Sequence, residues 1–341
     1  MKYTYPQGTK DILPEDIPYW NKVEDTVREC AAAYGFKEIR TPEFEDTALF
    51  VRGVGKGTDI VNKEMYTFSR SEKESFTLKP EGTAPVVRSY IQNGMSSLPQ
   101  PVKLFYVTSC YRAERPQKGR LRQFHQFGAE IFGSHSAYAD AQVIMLADTV
   151  IRKLGTKNVK LNINSVGCPE CRSTYYDALK AFVSDKEPEL CEDCHERLKN
   201  NPMRILDCKV DSCKKIAEGS PVMLDYLCDD CRDAFEQLKK LLDGYGVPYE
   251  LDPGIVRGLD YYTKTAFEFV SDKLGSQSTV CGGGRYDHLI EQLGGPGTPG
   301  VGFGLGIERL LLILEASGKE PKAPPVCDVM VCGLGENAKD A

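Results

Sequence analysis

Two groups of residues in this sequence have the types and spacing to work on an anionic substrate. Residues 103–122 hold Arg112, Arg115, Lys118, Arg120 and Arg122, opposed only by Glu114. A local excess of cations binds phosphate; the alternative for such a run is a solvated hairpin rim. Near the other end, Gly300, Gly302, Gly304 and Gly306 alternate with Val301, Phe303 and Leu305. Alternate residues of a strand share a face, so one face here has no side chains. Glycine weakens a strand interior, and this period implies that another flat body approaches the backbone, or that a helix packs tightly on it. Arg309 follows in the first turn of a helix, where free amides and the positive dipole end favour anionic oxygens.

A third group is the segment from Phe124 to Glu130. Strand parity puts Phe124, Gln126, Gly128 and Glu130 on one side, so two hydrogen-bonding side chains flank a gap at Gly128. If that face is covered, the polar groups need a polar ligand; the alternative is a face open to water. There is no GxxxxGK[ST] loop, and Gly282-Gly283-Gly284-Arg285 follows no strand-to-helix phosphate pattern. A nucleotide's phosphates would then be held by arginines, with Arg112, Arg120, Arg257 and Arg309 as candidates.

The chain has 13 cysteines, eight of them between Cys168 and Cys231, a clustering that suggests metal or redox chemistry more than a disulfide framework. Cys168-Pro169-Glu170-Cys171 and Cys191-Glu192-Asp193-Cys194 have zinc-ribbon-like spacing and form the first expected quartet. Cys208, Cys213, Cys228 and Cys231 form a looser second one, with pairing across the two quartets left open. Buried free thiols are the alternative. A fully thiolate-ligated site has no open position, so its zinc is structural rather than catalytic.

The elements around these residues fall into three textures. Residues 1–167 mix helical stretches, one at 23–34, with strands; 102–112 and 121–132 read as a hairpin around a basic turn containing Gly119. Residues 168–250 are rich in Cys, Lys, Glu and helix formers, with helices at 175–183 and 234–242, and read as an inserted helical subdomain. Strand character returns at 256–270 and 280–281, before an apolar helix at 307–314 near the end of a further mixed stretch, 251–320. Residues 321–341 read as a Pro-rich linker and the first strand of a further domain. Antiparallel strands with segregated helices and no regular βαβ alternation indicate an α+β fold.

The formal net charge of −6 over 341 residues argues against a chain that wraps nucleic acid over its whole surface. The amino terminus has no apolar leader, and the longest aliphatic run, residues 310–314, is far too short to span a bilayer. A cytoplasmic location is expected.

Five stretches, in order and spacing, resemble the histidyl-tRNA synthetases. They are Glu38-Ile39-Arg40-Thr41-Pro42; Thr77-Leu78-Lys79-Pro80-Glu81-Gly82-Thr83; the run from Tyr111-Arg112 through Gly119-Arg120 to His125-Gln126; Arg257-Gly258-Leu259-Asp260-Tyr261-Tyr262; and Gly302-Phe303-Gly304-Leu305-Gly306-Ile307-Glu308-Arg309. The first, third and fifth resemble motifs 1, 2 and 3 of class II aminoacyl-tRNA synthetases; the fourth is the most discriminating. The resemblance runs from Gly8 to about residue 335.

It implies an antiparallel class II sheet flanked by helices, a homodimer built through motif 1, and joining of histidine to ATP with Mg²⁺ and then to tRNA(His). By the same resemblance, Arg112 and Arg257 grip the α-phosphate, while Arg120 and Arg309 hold the outer phosphates. Glu81, Thr83 and Gln126 hold the α-amino group, Glu130 and Tyr262 face the two imidazole nitrogens, and Tyr261 and Tyr286 line that pocket. Phe124 stacks on adenine beside Gly304 and Gly306, and Glu114, Arg115 and Gln117 meet ATP and the tRNA acceptor end. Tyr111 and His125 are expected to be structural, and most of an anticodon-binding domain is expected to be absent. The regulatory subunit of ATP phosphoribosyltransferase shares this fold without that domain, but such regulators tend to lose the arginines and the stretch after Arg257. A pseudo-synthetase that only binds uncharged tRNA would need a fusion partner.

Overall fold

A computed structural model describes residues 3–55, 58–71, 74–156, 158–256, 259–274, 278–318 and 329 of the chain. Arg257, Gly258 and the expected carboxyl-terminal linker and strand, apart from Val329, lie outside the described residues.

Eleven strands form two sheets among the described residues: β1 (Lys37–Glu38), β2 (Phe44–Asp46), β3 (Thr67–Ser71), β4 (Glu74–Leu78), β5 (Val102–Tyr111), β6 (Gln123–Phe132), β7 (Lys160–Ser165), β8 (Glu250–Leu251), β9 (Thr263–Val270), β10 (Thr279–Arg285) and β11 (Gly300–Gly306). The large sheet has the order β1-β5-β6-β11-β10-β9-β7-β8, and β2-β4-β3 make a small one beside it. The centre of the large sheet is antiparallel, as expected. Its two-residue edge strands depart from that pattern, β1 running parallel to β5 and β8 parallel to β7.

The helices are α1 (Ile17–Ala33), α2 (Thr47–Gly53), α3 (Thr83–Gln92), α4 (Ala137–Lys153), α5 (Pro169–Val183), α6 (Glu192–Asn200), α7 (Asp211–Ala217), α8 (Asp229–Gly244), α9 (Leu289–Gln292) and α10 (Ile307–Ala316). Helices α3 and α4 go beyond the elements expected from the sequence. In α4 small and aliphatic residues such as Ala139, Ala141, Val143, Ile144, Leu146 and Ala147 are all buried, so the helix lacks the polar face that makes periodicity readable. Its start is set by Ser136, whose hydroxyl accepts the amide of Tyr138. No helix of the described residues is long and apolar enough to cross a membrane.

The alternation of the central strands decides which face carries chemistry. Phe127, Ala129 and Ile131 of β6, with Val301, Phe303 and Leu305 of β11, join one core with residues of α1, α4, α8 and α10. Burying these apolar side chains fixes the register, since a slip by one residue would turn them to the other face. The intervening residues, Gln126, Gly128 and Glu130 of β6 and the glycines of β11, are therefore left on the opposite face. There β6 and β11 run side by side, pairing Glu130 with Gly302, Gly128 with Gly304 and Gln126 with Gly306.

Between β7 and β8 the chain leaves the sheet to form α5 to α8. The outer part of this region has a small core of its own, including Val183, Leu198, Ile205 and Ile216.

Candidate active site

The inner end of the polar face is built around one carboxyl. Glu130 is fully buried, and its Oε1 accepts hydrogen bonds from Thr83 Oγ1 at 2.8 Å and Tyr106 OH at 3.1 Å. Its other oxygen accepts from the Tyr286 hydroxyl. Burial pushes the Glu130 carboxyl up to about 8, although the hydrogen bonds from Tyr286 and Thr83 pull the other way. The Tyr261 ring packs edge-on against Tyr286 at 5.5 Å and lies 4.7 Å from Tyr262. Tyr262 fits against the backbone of Gly284, where a Cβ would stand 2.9 Å from its Cδ1. Glu130 thus stands in an aromatic cage, with Tyr286 rather than Tyr262 bonded to it.

The expected gap at Gly128 is filled by the protein. Tyr106 is the cross-strand partner of Gly128, and any Cβ there would overlap the phenol ring. This filling ring donates its hydroxyl to Glu130. The glycines of β11 divide in a similar way. A Cβ at Gly300 would meet Tyr286 and one at Gly302 would overlap the Glu130 carboxylate, whereas Gly304 meets only Gln126, at 3.3 Å, and Gly306 only Arg309, at 3.6 Å. Packing of the protein's own groups explains the first two, and open cleft the last two.

Beside the cage, Glu81 sits at the start of α3. Its Oε2 accepts from the Thr83 amide at 2.7 Å and its Oε1 from the Ala84 amide at 2.8 Å. Those amides belong to the unpaired first turn, so the carboxylate caps the helix that aims Thr83 at Glu130. Burial raises the Glu81 carboxyl above its ordinary range. Gln126 completes this group and accepts a weak bond from Cys110 Sγ at 3.4 Å.

From Gln126 outward the face opens into a cleft of about 730 Å³, lined by Arg112, Arg120, Phe124, Gly304, Gly306 and Arg309 among others. Arg112 donates from Nε to Pro80 O at 2.9 Å, and its guanidinium lies 5.2 Å from the centre of the Phe124 ring, occupying one face of it. Arg120 Nε meets Glu114 Oε2 at 2.9 Å. Arg309 donates to Gly119 O at 2.8 Å and to Thr279 O at 2.5 Å. A guanidinium has five N–H donors in a rigid fork, so a single anchor orients it without exhausting it. Burial, then the charges of Arg120 and Arg112, hold Arg309 below its ordinary range. The charges of Arg112 and Arg120 beside buried Arg309 are an electrostatic cost that a polyanion would relieve.

The loop joining β5 and β6 lines a second cavity of about 550 Å³, with Arg115, Gln117, Glu114 and Arg120 along its wall. Gln117 and Arg120 bridge each other across a turn that needs Gly119, at φ +75°, in the left-handed region. His125 points away from the cleft. Its Nδ1 lies 2.8 Å from Glu308 Oε1, its amide donates to the same carboxylate, and its ring stands edge-on to Trp20. Tyr111, at the end of β5, donates its amide to Lys79 O.

The structure also brings together residues not singled out from the sequence. Tyr106 completes the cage, and Glu64 and Glu268 stand with Glu114 along the cleft. Burial raises the Glu64 carboxyl, and the charge of Arg112 opposes the rise. The register of β5 on β6 would have revealed Tyr106, because it sets a tyrosine opposite a glycine; Glu64 and Glu268 leave no local signal.

The cysteines group differently from the quartets read by spacing. Cys168 and Cys171 join Cys228 and Cys231, while Cys191 and Cys194 join Cys208 and Cys213. The reason is that α5 and α8 each begin at a CxxC pair and start side by side, which makes the ends of the inserted region neighbours and leaves the middle four to meet one another.

The family model described as histidyl-tRNA synthetase matches residues 8–310. A histidine–tRNA ligase of Caldanaerobacter subterraneus subsp. tengcongensis is 57% identical over 334 residues, covering 98% of this chain and 80% of that protein. One from Clostridium perfringens is 52% identical over the same shares. Among solved structures, apo histidyl-tRNA synthetase of S. aureus matches with a TM-score of 0.76 and 42% identity, over 93% of this chain and 74% of that one. A Bacillus halodurans structure titled as an ATP phosphoribosyltransferase regulatory subunit/histidyl-tRNA synthetase shares the fold at a TM-score of 0.68 and 23% identity, over 92% of this chain and 84% of that one.

Proposed function

The chain belongs to the histidyl-tRNA synthetase family, and from that premise we propose how its cleft works as a histidine–tRNA ligase. One observation carries the reading: a buried carboxyl in a tyrosine cage and a cluster of guanidiniums lie along the same polar face of β6 and β11. The cage takes the imidazole, because Glu130 and the surrounding phenols can satisfy ring N–H and N that an apolar side chain would leave unpaired. Glu81, Thr83 and Gln126 bind the α-amino group, and Tyr261, Tyr262 and Tyr286 enclose the ring.

In this position the histidine carboxylate points toward the arginines. It attacks the α-phosphorus of ATP in line; the carboxylate O–P bond forms as the bond to pyrophosphate breaks, giving histidyl-adenylate. Charge grows on the non-bridging oxygens, where Arg112 and Arg257 stabilise it, while Arg120 and Arg309 hold the departing phosphates. Mg²⁺ carried with ATP neutralises those phosphates. Phe124, Gly304 and Gly306 form the adenine bed, and Glu114 contacts the nucleotide. The hydroxyl at the 3′ end of tRNA(His), guided by Arg115 and Gln117, then attacks the carbonyl carbon and releases AMP. The chain needs no nucleophile of its own.

The same reading includes a homodimer through motif 1, supported by the Phe44, Phe68 and Phe76 rings clustered on the neighbouring small sheet, with Phe44 and Phe68 exposed. It also includes a cytoplasmic location and structural zinc in the cysteine-rich region. Its domain division is catalytic stretches at 1–167 and 251–320, an insertion at 168–250, and a linker with the start of a further domain at 321–341.

The test is amino-acid-dependent exchange of labelled pyrophosphate into ATP. Purified protein with Mg²⁺ should support exchange with histidine and with none of the other standard amino acids. No exchange above background from folded protein would shift the reading to a regulatory relative of the fold.

A further inference from the structure

In each cysteine quartet the four sulfurs lie within 4.8 Å of one another. Four thiolates bound tetrahedrally at about 2.3 Å from one zinc ion stand roughly 3.8 Å apart. The separations are 3.5 Å for Cys168 and Cys171, 3.9 Å for Cys168 and Cys228, and 3.8 Å for Cys191 and Cys208. A disulfide would bring two sulfurs to about 2.05 Å; all eight of these cysteines are free thiols. Quartets this tight leave room for one ion and not for a multi-iron cluster.

The backbone is arranged for thiolates as well. Cys168, Cys191 and Cys228 each stand at the N-cap of a helix, so each CxxC pair straddles a positive first turn. The Cys228 amide donates to Cys171 Sγ at 3.1 Å and the Cys191 amide to Cys213 Sγ at 3.3 Å. Arg197 Nη1 lies 4.0 Å from Cys194 Sγ, a cation beside the second quartet.

That second quartet also borders the nucleotide cleft, whose lining includes Cys191 and Cys208. Between Cys194 and Cys208 the chain grips the catalytic part of the molecule. Arg197 and Arg204 pair with Asp59 at 3.5 and 3.4 Å, and Asn201 Nδ2 donates to Asp260 Oδ1 at 3.0 Å.

We propose that the chain holds two structural Zn²⁺ ions, one on Cys168, Cys171, Cys228 and Cys231 and one on Cys191, Cys194, Cys208 and Cys213. The second fixes residues 195–207 as the outer wall of the cleft. Four sulfurs in a closed tetrahedral set favour zinc, and no open position is left for catalysis. The inner ion staples the two ends of the inserted region; the outer one closes the loop that carries Arg197, Asn201 and Arg204. The positioning clause rests on the cleft reading above, whereas metal content and pairing are read without activity.

The test uses the full chain purified without chelator. Elemental analysis should find about two zinc per chain, and Cys194→Ser should retain about one. Alkylation of that variant followed by peptide mapping should label Cys191, Cys208 and Cys213 and spare Cys168, Cys171, Cys228 and Cys231. Should the variant not fold, partly demetallated wild type gives the same information, with thiols labelled in the two sets named. Hydrogen exchange at residues 58–64 should quicken about tenfold or more when the outer ion is lost. Less than about one zinc per chain in the wild type, or labelling of Cys168 and Cys171 together with Cys191, would overturn the sites. Unchanged exchange at 58–64 would overturn the positioning role.

Discussion

At Glu130 the fold removes a carboxyl from water and surrounds it with hydroxyl donors, which has a measurable consequence for stability. Its folded value, about 8, lies above the 4.5 of a free carboxyl. Between those values the folded state holds a proton that the unfolded state has lost, so this group's contribution to stability falls as pH rises through the interval. Below it both states are protonated, and above it the loss is complete. Glu130→Gln has no such titration. Its melting temperature relative to wild type should therefore rise from pH 5 to 8 and then level off; a constant difference would show that Glu130 is ionised throughout. The same substitution should lower kcat/KM for histidine about 10²-fold, the cost of leaving a buried imidazole nitrogen without its partner. Removing Arg309, with Arg309→Ala, should cost about 10²- to 10³-fold in pyrophosphate exchange. Loss confined to tRNA charging would argue against its place beside the nucleotide.

These residues were legible to different degrees. Strand parity alone placed Gln126 and Glu130 on one face, and the alternating glycines marked the strand beside them. Tyr106 was not legible, because its role depends on standing opposite Gly128 in a register that only the folded hairpin defines. Helix capping by Glu81 was hidden for a related reason, since α3 itself was not expected.

Among the elements, α4 is latched to β10 by a buried ion pair. Arg285 donates to both oxygens of Asp140, to Ser134 O and Ser136 O, and to Asp287. Arg285 and Asp140 have only 2% of their side chains exposed. Taking away Asp140 leaves Asp287 as the carboxylate still bonded to the buried guanidinium, so Asp140→Ala should destabilise the protein by about 3 kcal/mol, the low end for breaking a buried pair, in denaturant unfolding. A cost below about 1 kcal/mol would mean that water reaches the guanidinium. The β5–β6 hairpin and α10 could be read from patterning because one face of each is apolar and the turns carry glycine. The grouping of the cysteines could not be read from spacing. Separation along the chain says which pairs straddle a helix start, but the contact between α5 and α8 decides which pairs share a site.

Over the whole molecule, a net charge of −6 coexists with a cleft whose lining carries both signs and in which Arg112, Arg120 and Arg309 lie near one another. The fold concentrates Arg112, Arg120 and Arg309 against a side-chain-poor strand while the inserted region grips Asp59 and Asp260 beside the opening. Association with a nucleotide in such a cleft should weaken as salt rises, since part of the attraction is unpaired positive charge. Composition gave no hint of this arrangement, because charges of both signs are spread along the chain and only folding brings these three arginines together.

The central claim is that one polar face, along β6 and β11, orients histidine and nucleotide together. A crystal structure with a non-reactive histidyl-adenylate analogue tests it most directly. The imidazole should lie in the tyrosine cage against Glu130, with the phosphate mimic reached by Arg112 and the adenine between Phe124 and the backbone of Gly304 and Gly306. An analogue bound elsewhere, with Glu130 still tied to Thr83, Tyr106 and Tyr286 and no arginine near the phosphate mimic, would contradict the account.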